Sequence, residues 1–344
     1  MKPKILITAA NGNTGFPAAK ELLTLGFPVR AFVRNANSKK AKELKHLGAE
    51  IFIGDMCDIR DVRKALEGIQ RTYFVPTYPN ILFQGATFAT VADELKLEHV
   101  VLLTQWLSSH VHPSIYTKEH ALVDTIFKRS TSNLTILNPG LFAFPYVMTP
   151  HPLTQFGMFP DFGKNAPPSS EDIGLVAAHI LKAPKNHVNQ IYRITGKELL
   201  SAAQMAATIE KVIGRKITVS QLSDKMITKV LKAYKYPKMD ISQIPYYINE
   251  GRLGTWENNA PTTVVQDIVG KEADDFETII RKLLVPQSIT KQTLKNKLKA
   301  IAFMIKAMLT SPLNIKHFEK QQHLPEFKNT LFSSQSKGWR KTHK

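Results

Sequence analysis

The 344 residues are 43% hydrophobic and 22% charged, the balance of a globular chain with a full core, which excludes disordered and fibrous classes. No run approaches the roughly 20 apolar residues that span a bilayer, and Met1-Lys2-Pro3-Lys4 enters Ile5-Leu6-Ile7 without a signal-peptide core, so a cytoplasmic address is expected. The formal charge of +18 is uneven: residues 288–344 hold twelve Lys or Arg against Glu319 and Glu326, a net of +10.

Residues 1 to about 140 alternate apolar runs of strand length (5–7, 29–33, 50–53, 72–75, 100–103, 134–137) with helical patterns. Pro17 sits in a first turn, Gly26 follows Leu25, Gly48 follows Leu47, and Asp58 reads as an N-cap with Gly68 at the far end. The single cysteine, Cys57, forbids an intrachain disulfide or a multi-cysteine metal site, and no metal centre is expected. This βαβαβα order predicts an α/β chain with a Rossmann-type doubly wound parallel sheet, whose ligand crevice opens at the carboxyl ends of the strands.

From 148 to 170 Pro, Phe and Gly crowd the sequence, which reads as a substrate-side loop. A helix over 170–181, a strand over 191–194, a capping-box helix from Ser201 and Gln204 to Gly214, and segments 217–219, 224–234, 243–251 and 274–284 complete a small mixed lobe. The expected division is 1–147 for the nucleotide-binding domain, 148–287 for the substrate lobe and 288–344 for a basic amphipathic helix and flexible tail. In that tail Leu294, Leu298, Ile301, Ile305 and Met308 recur at helical spacing with lysines beside them. Docking of this apolar stripe onto the body is the favoured expectation, contact with an anionic membrane surface the alternative, and the polar end after Pro312 is expected to be mobile. Sparse aromatics and no helix-turn-helix pattern argue against nucleic acid.

Directly after the first run stands Thr8-Ala9-Ala10-Asn11-Gly12-Asn13-Thr14-Gly15, opening into a helix. Small residues there let backbone amides and the positive end of the helix dipole meet a pyrophosphate. At the end of the second strand, where a carboxylate would hold the ribose diol of NAD, stands Arg34, with Lys39 and Lys40 nearby. A guanidinium there pairs with a 2′-phosphate, so NADP(H) is expected in preference to NAD.

Taken in order, these residues resemble the NmrA-like family of atypical short-chain dehydrogenases/reductases. The likeness continues through Gly48-Ala49-Glu50, Gly54-Asp55, Ala65 to Gly68, His99-Val100-Val101, Asn138-Pro139-Gly140, Glu171 to Gly174 and Tyr192 to Gly196, over roughly residues 3–285. The resemblance implies cofactor contacts from Thr8, Ala9, Asn11, Gly12, Asn13, Thr14, Gly15, Arg34, Asp55, Met56, Pro76 and Thr77. Ala9 stands where the family has its first glycine, which implies weakened affinity rather than lost binding.

Reductases of the wider superfamily carry Tyr-x-x-x-Lys on one helical face. Here Tyr116 is followed at that spacing by His120, while Lys118 lies about 200° round the helix. His120 with Asp124 as an acid–base pair, Tyr116 as a donor and Thr104 as a hydrogen-bonding partner for a carbonyl form the expected catalytic set. The plain alternative is an ordinary helix. Asn138 replaces an arginine common in the family's Pro-Gly motif. Two functions stay open: an NADPH-dependent reductase of a small apolar carbonyl or quinone, with Trp106, Phe142, Phe144, Phe156, Phe159 and Phe162 as pocket walls, or a non-catalytic NADP(H) sensor acting through a protein partner.

Overall fold

The computed structural model describes residues 2–343. Strands β1 (Ile5–Ile7), β2 (Val29–Val33), β3 (Glu50–Ile53), β4 (Arg71–Phe74), β5 (His99–Leu103) and β6 (Asn133–Leu137) all form within one residue of their expected ends. They are linked in turn by α1 (Gly15–Thr24), α2 (Lys39–His46), α3 (Ile59–Leu66), α4 (Ile81–Glu94) and α5 (Ile115–Lys128). Next come α6 (Pro150–Phe156), β7 (Met158–Pro160), α7 (Ser170–Lys182) and β8 (Gln190–Tyr192). The body ends with α8 (Ala202–Ile213), β9 (Thr218–Ser220), α9 (Asp224–Ala233), α10 (Lys238–Arg252), α11 (Val264–Val269) and α12 (Phe276–Leu284). The tail carries α13 (Leu294–Leu309), α14 (Ile315–Gln321) and α15 (Lys337–Thr342). Among the described residues no helix is long and apolar enough to cross a membrane.

The main sheet is parallel throughout, in the order β3-β2-β1-β4-β5-β6-β8. The winding reverses between β1 and β4, which opens a crevice at their carboxyl ends. Alternation along β1 sends Ile5 and Ile7 to a core shared with α1, α2 and α7, and Leu6 to the opposite core under α3, α4 and α5. In the second core Phe74 and Phe88 stack with ring centres 4.2 Å apart, and full burial of each such ring contributes roughly 1.5–3 kcal/mol. A Cβ on Gly174 would lie 2.6 Å from both Thr14 O and Pro17 Cγ, so this glycine lets α7 press against the first turn of α1.

Two expectations need correction. Residues 148–170 are not a plain loop: Pro150 starts α6, Gly157 at φ 67° ends it, and β7 pairs with β9. Within 148–287, α7 packs on the main sheet and β8 joins its edge, so this segment packs on the same domain. The tail docks, but on the wrong face for its stripe: Ala300 and Ala307 are buried and Phe303 packs on Tyr234, whereas Leu294, Leu298, Ile301, Ile305 and Met308 are exposed. Its end is held too, since the buried Trp339 donates from Nε1 to Trp106 O at 2.9 Å.

Candidate active site

The turn after β1 is tied down before it can bind anything. Val75 N donates to Thr8 Oγ1 at 2.7 Å, locking β1 to the end of β4 on the far side of the crevice. Thr8 itself is fully buried beneath the turn. Ala9 takes φ 45°, a left-handed conformation that costs an L-residue roughly 1–2 kcal/mol, which gives a physical basis for the glycine common at this point. Asn11 Nδ2 donates to Ser38 Oγ, and Ser38 in turn caps α2. Thr14 makes no side-chain cap and the first turn of α1, which begins at Gly15, holds no acid. Phe16 N and Ala18 N are already bonded and Pro17 has no N–H, so the Thr14 and Gly15 amides with the helix dipole are what faces a cleft lined by Ala9, Gly12, Asn13 and Thr14, a fit for a pyrophosphate.

Around that turn the charge is positive. Lys40 Nζ donates to Gly12 O at 3.4 Å, and its partial burial lowers its pKa. Arg34 follows β2 directly and is exposed. After β3, the Asp55 carboxylate accepts from Cys57 N and the Met56 side chain is buried in the second core; neither residue, nor Arg34, lines the cleft itself. Pro76 and Thr77 line the cleft, with Thr77 held at both its N–H and its carbonyl by the amide of Gln84.

The cleft runs on from the turn as a mostly apolar cavity of about 450 Å³ between the sheet and α10. Thr104 and His120 line it, as do Phe142, Phe144 and Phe162. Trp106 and Phe156 do not, and Phe159 lines an adjoining apolar chamber of about 130 Å³. That chamber shares Pro145, Met148, Phe162 and Ile244 with the cleft and reaches Met304 of α13.

The expected catalytic set is only partly assembled. Tyr116 lies outside the cleft lining, its hydroxyl given to Asp240 and its ring packed at a tilt of 35° on Tyr78 with centres 4.2 Å apart. His120 and Asp124 make no hydrogen bond: Asp124 Oδ2 accepts from Ser108, while His120 Nε2 lies 3.4 Å from the Tyr78 hydroxyl. Burial drives the His120 pKa down to about 3, so near neutrality it is an uncharged hydrogen-bond donor and not an imidazolium acid. Thr104 Oγ1 accepts from Asn138 Nδ2 at 2.6 Å, so the asparagine in place of the family's arginine orients this hydroxyl. Lys118 points away, donating to His110 O.

Three residues outside the expected set, Gln105, Tyr247 and Trp256, join His120 at the site. Gln105 Nε2, His120 Nδ1, Tyr247 OH and Trp256 Nε1 are buried, lack a protein partner and belong to cleft-lining residues. Tyr247 and Trp256 come from and beside α10, more than 100 positions from Gln105 and His120. No local spacing could have flagged them. Gln105 could have been read from its place at the end of β5.

This parallel sheet, with its small-residue turn and crevice at the winding reversal, is a Rossmann-type α/β structure. The model of the NmrA-like family matches residues 1–253, and the chain belongs to that family. An NAD(P)H azoreductase of Xenophilus azovorans is 28% identical over 217 residues, covering 62% of this chain and 75% of that protein. The NADPH complex of an NADPH-dependent quinone oxidoreductase from Escherichia coli superposes with a TM-score of 0.70 at 21% identity, over 81% of this chain and 99% of that one. NmrA, a negative transcriptional regulator solved with NADP, gives a TM-score of 0.61 at 17% identity, over 89% and 97%.

Proposed function

We propose that this protein is an NADPH-dependent reductase of a small apolar carbonyl or quinone. The observation that carries the reading is a set of four buried polar atoms without a protein partner, on Gln105, His120, Tyr247 and Trp256, side chains that line an otherwise apolar cleft reaching the turn of α1. An apolar ring desolvates well in such a cavity, and an oxygen on it satisfies donors that otherwise cost about 1–3 kcal/mol each. When bound, a reduced nicotinamide supplies the hydride. The α1 amides with Lys40 hold the pyrophosphate, Arg34 the 2′-phosphate, and His120 and Tyr247 orient the substrate oxygen from their N–H and O–H. Burial raises the Tyr247 pKa, so its hydroxyl stays protonated. The azoreductase and quinone oxidoreductase relatives support the reaction class.

Single-turnover mixing with NADPH and a panel of quinones and aldehydes tests this. Decay of the nicotinamide absorbance faster than in buffer is expected for at least one acceptor; none across the panel overturns the reading.

A second reading rests on Tyr116 and Lys118, which both turn away from the cleft: a non-catalytic NADP(H) sensor acting through a protein partner. Separate calorimetric titrations of NADP and NADPH, with limited proteolysis of each complex, test it. Equal affinities and equal digestion would leave nothing to sense.

A further inference from the structure

We infer that α13 docks the protein on an anionic membrane surface. The helix is 16 residues long, about 24 Å, and lies across α9 and α6 on its narrow side. Ala300 and Ala307 allow close approach, Phe303 stacks on His151 with ring centres 5.1 Å apart, and Asn296 Nδ2 donates to Ser288 O and Lys291 O. This anchorage orients the opposite side outward.

On that outward side Leu294, Leu298, Ile305, Met308 and Leu309 are 54–83% exposed and Ile301 39%. At 100° per residue these six fall within one arc of about 100°, the width of a lipid-facing stripe. Lys295 and Lys299 flank the arc on one side and Lys297 on the other, all exposed. At the helix end Lys229 and Lys232 of α9 donate to Met308 O and Ser311 O and hold the last turn of α13 in place. No Asp or Glu occurs from 278 to 318.

Charge complementarity decides the occupant. A second copy laid on this face would bring lysine rows against lysine rows, with no carboxylate on the helix to answer them. An anionic bilayer answers both features, since its phosphates meet the lysines while the stripe enters the acyl boundary. The tail thus keeps its stripe outward because a smaller, flatter face serves for folding.

The test is flotation of the full chain with phosphatidylcholine vesicles containing about 30 mol% phosphatidylglycerol, against phosphatidylcholine alone. Recovery with the anionic vesicles is expected, falling at least about tenfold with the neutral ones, with the pair Leu298→Asp and Ile305→Asp, and with the pair Lys295→Glu and Lys299→Glu. All four positions are exposed, so the variants retain the wild-type melting temperature. Equal absence from both vesicle types, or anionic binding that the variants leave unchanged, overturns the inference. So does a reversible dimer, seen by sedimentation, that the Asp pair abolishes while no vesicle binds.

Discussion

The Tyr116 hydroxyl donates to Asp240 Oδ1 over 2.8 Å, turning onto α10 the side chain that the helix spacing offers to catalysis. Burial, then the bond to Asp240, hold this phenol above its ordinary pKa, the opposite of what an acid catalyst needs. Tyr116→Phe should therefore leave kcat/KM for NADPH oxidation within about twofold while lowering stability by about 1 kcal/mol, as a urea titration would show. A loss of a hundredfold or more would restore Tyr116 to the reacting site.

Arg34 is exposed at the end of β2, so its removal should alter binding without disturbing the core. Arg34→Asp is expected to weaken NADPH at least about tenfold and to leave NADH nearly unchanged, since a charged hydrogen bond to the 2′-phosphate is worth about 1.5–3 kcal/mol. Calorimetry with both nucleotides reads the difference; equal losses would place the effect elsewhere than the 2′-phosphate.

Two groups on α5 give stability opposing pH slopes. Burial lowers His120 from 6.5 to about 3 and raises Asp124 from 3.8 to about 6. The unfolded chain binds the histidine proton more tightly, so stability present above pH 6.5 is lost as pH falls towards 3. The folded chain binds the aspartate proton more tightly, so stability present below pH 3.8 is lost as pH rises through about 6. Between about pH 4 and 6, Asp124→Asn should steepen the acid loss and His120→Gln should make it shallower, each by up to about 1.4 kcal/mol per pH unit. Urea midpoints across that range decide; parallel profiles for all three proteins would refute it.

Glu250 is fully buried and accepts from His112 Nε2 at 2.7 Å, Ser333 N at 2.6 Å and Thr255 Oγ1 at 2.5 Å. This carboxylate joins α10, the segment after β5 and the chain end. Glu250→Ala strands the donors and should cost about 3–5 kcal/mol, with new protease cleavage ahead of Ser333. Glu250→Gln keeps one acceptor oxygen and should recover part of the loss. Undiminished resistance in the alanine variant would show that the tail is held by Trp339 alone.

The sheet was legible because each strand is a short apolar run closed by a cap or glycine, and such signals are local. The capping box at Ser201 and Gln204 forms as its spacing requires, with Gly214 left-handed at the helix end. What remained hidden depends on packing between distant segments. Spacing placed Tyr116 and His120 on one face of a helix but carried nothing about α10, which supplies Asp240 and Tyr247. The apolar stripe of α13 suggested an inward face, since burying it gains most; two alanines and a phenylalanine made a closer fit, and shape complementarity prevailed over hydrophobic area.

Pro145, Met148, Phe162 and Ile244 stand as a shared partition between the reaction cleft and the smaller chamber behind it. Under the proposed reductase reading, a molecule with a flat head and an oily tail would find a place for each, and the tail's fit would bias which way round the head enters. Trimming these four walls would change which substrates are accepted, and which way round they enter, while leaving every polar atom of the site in place.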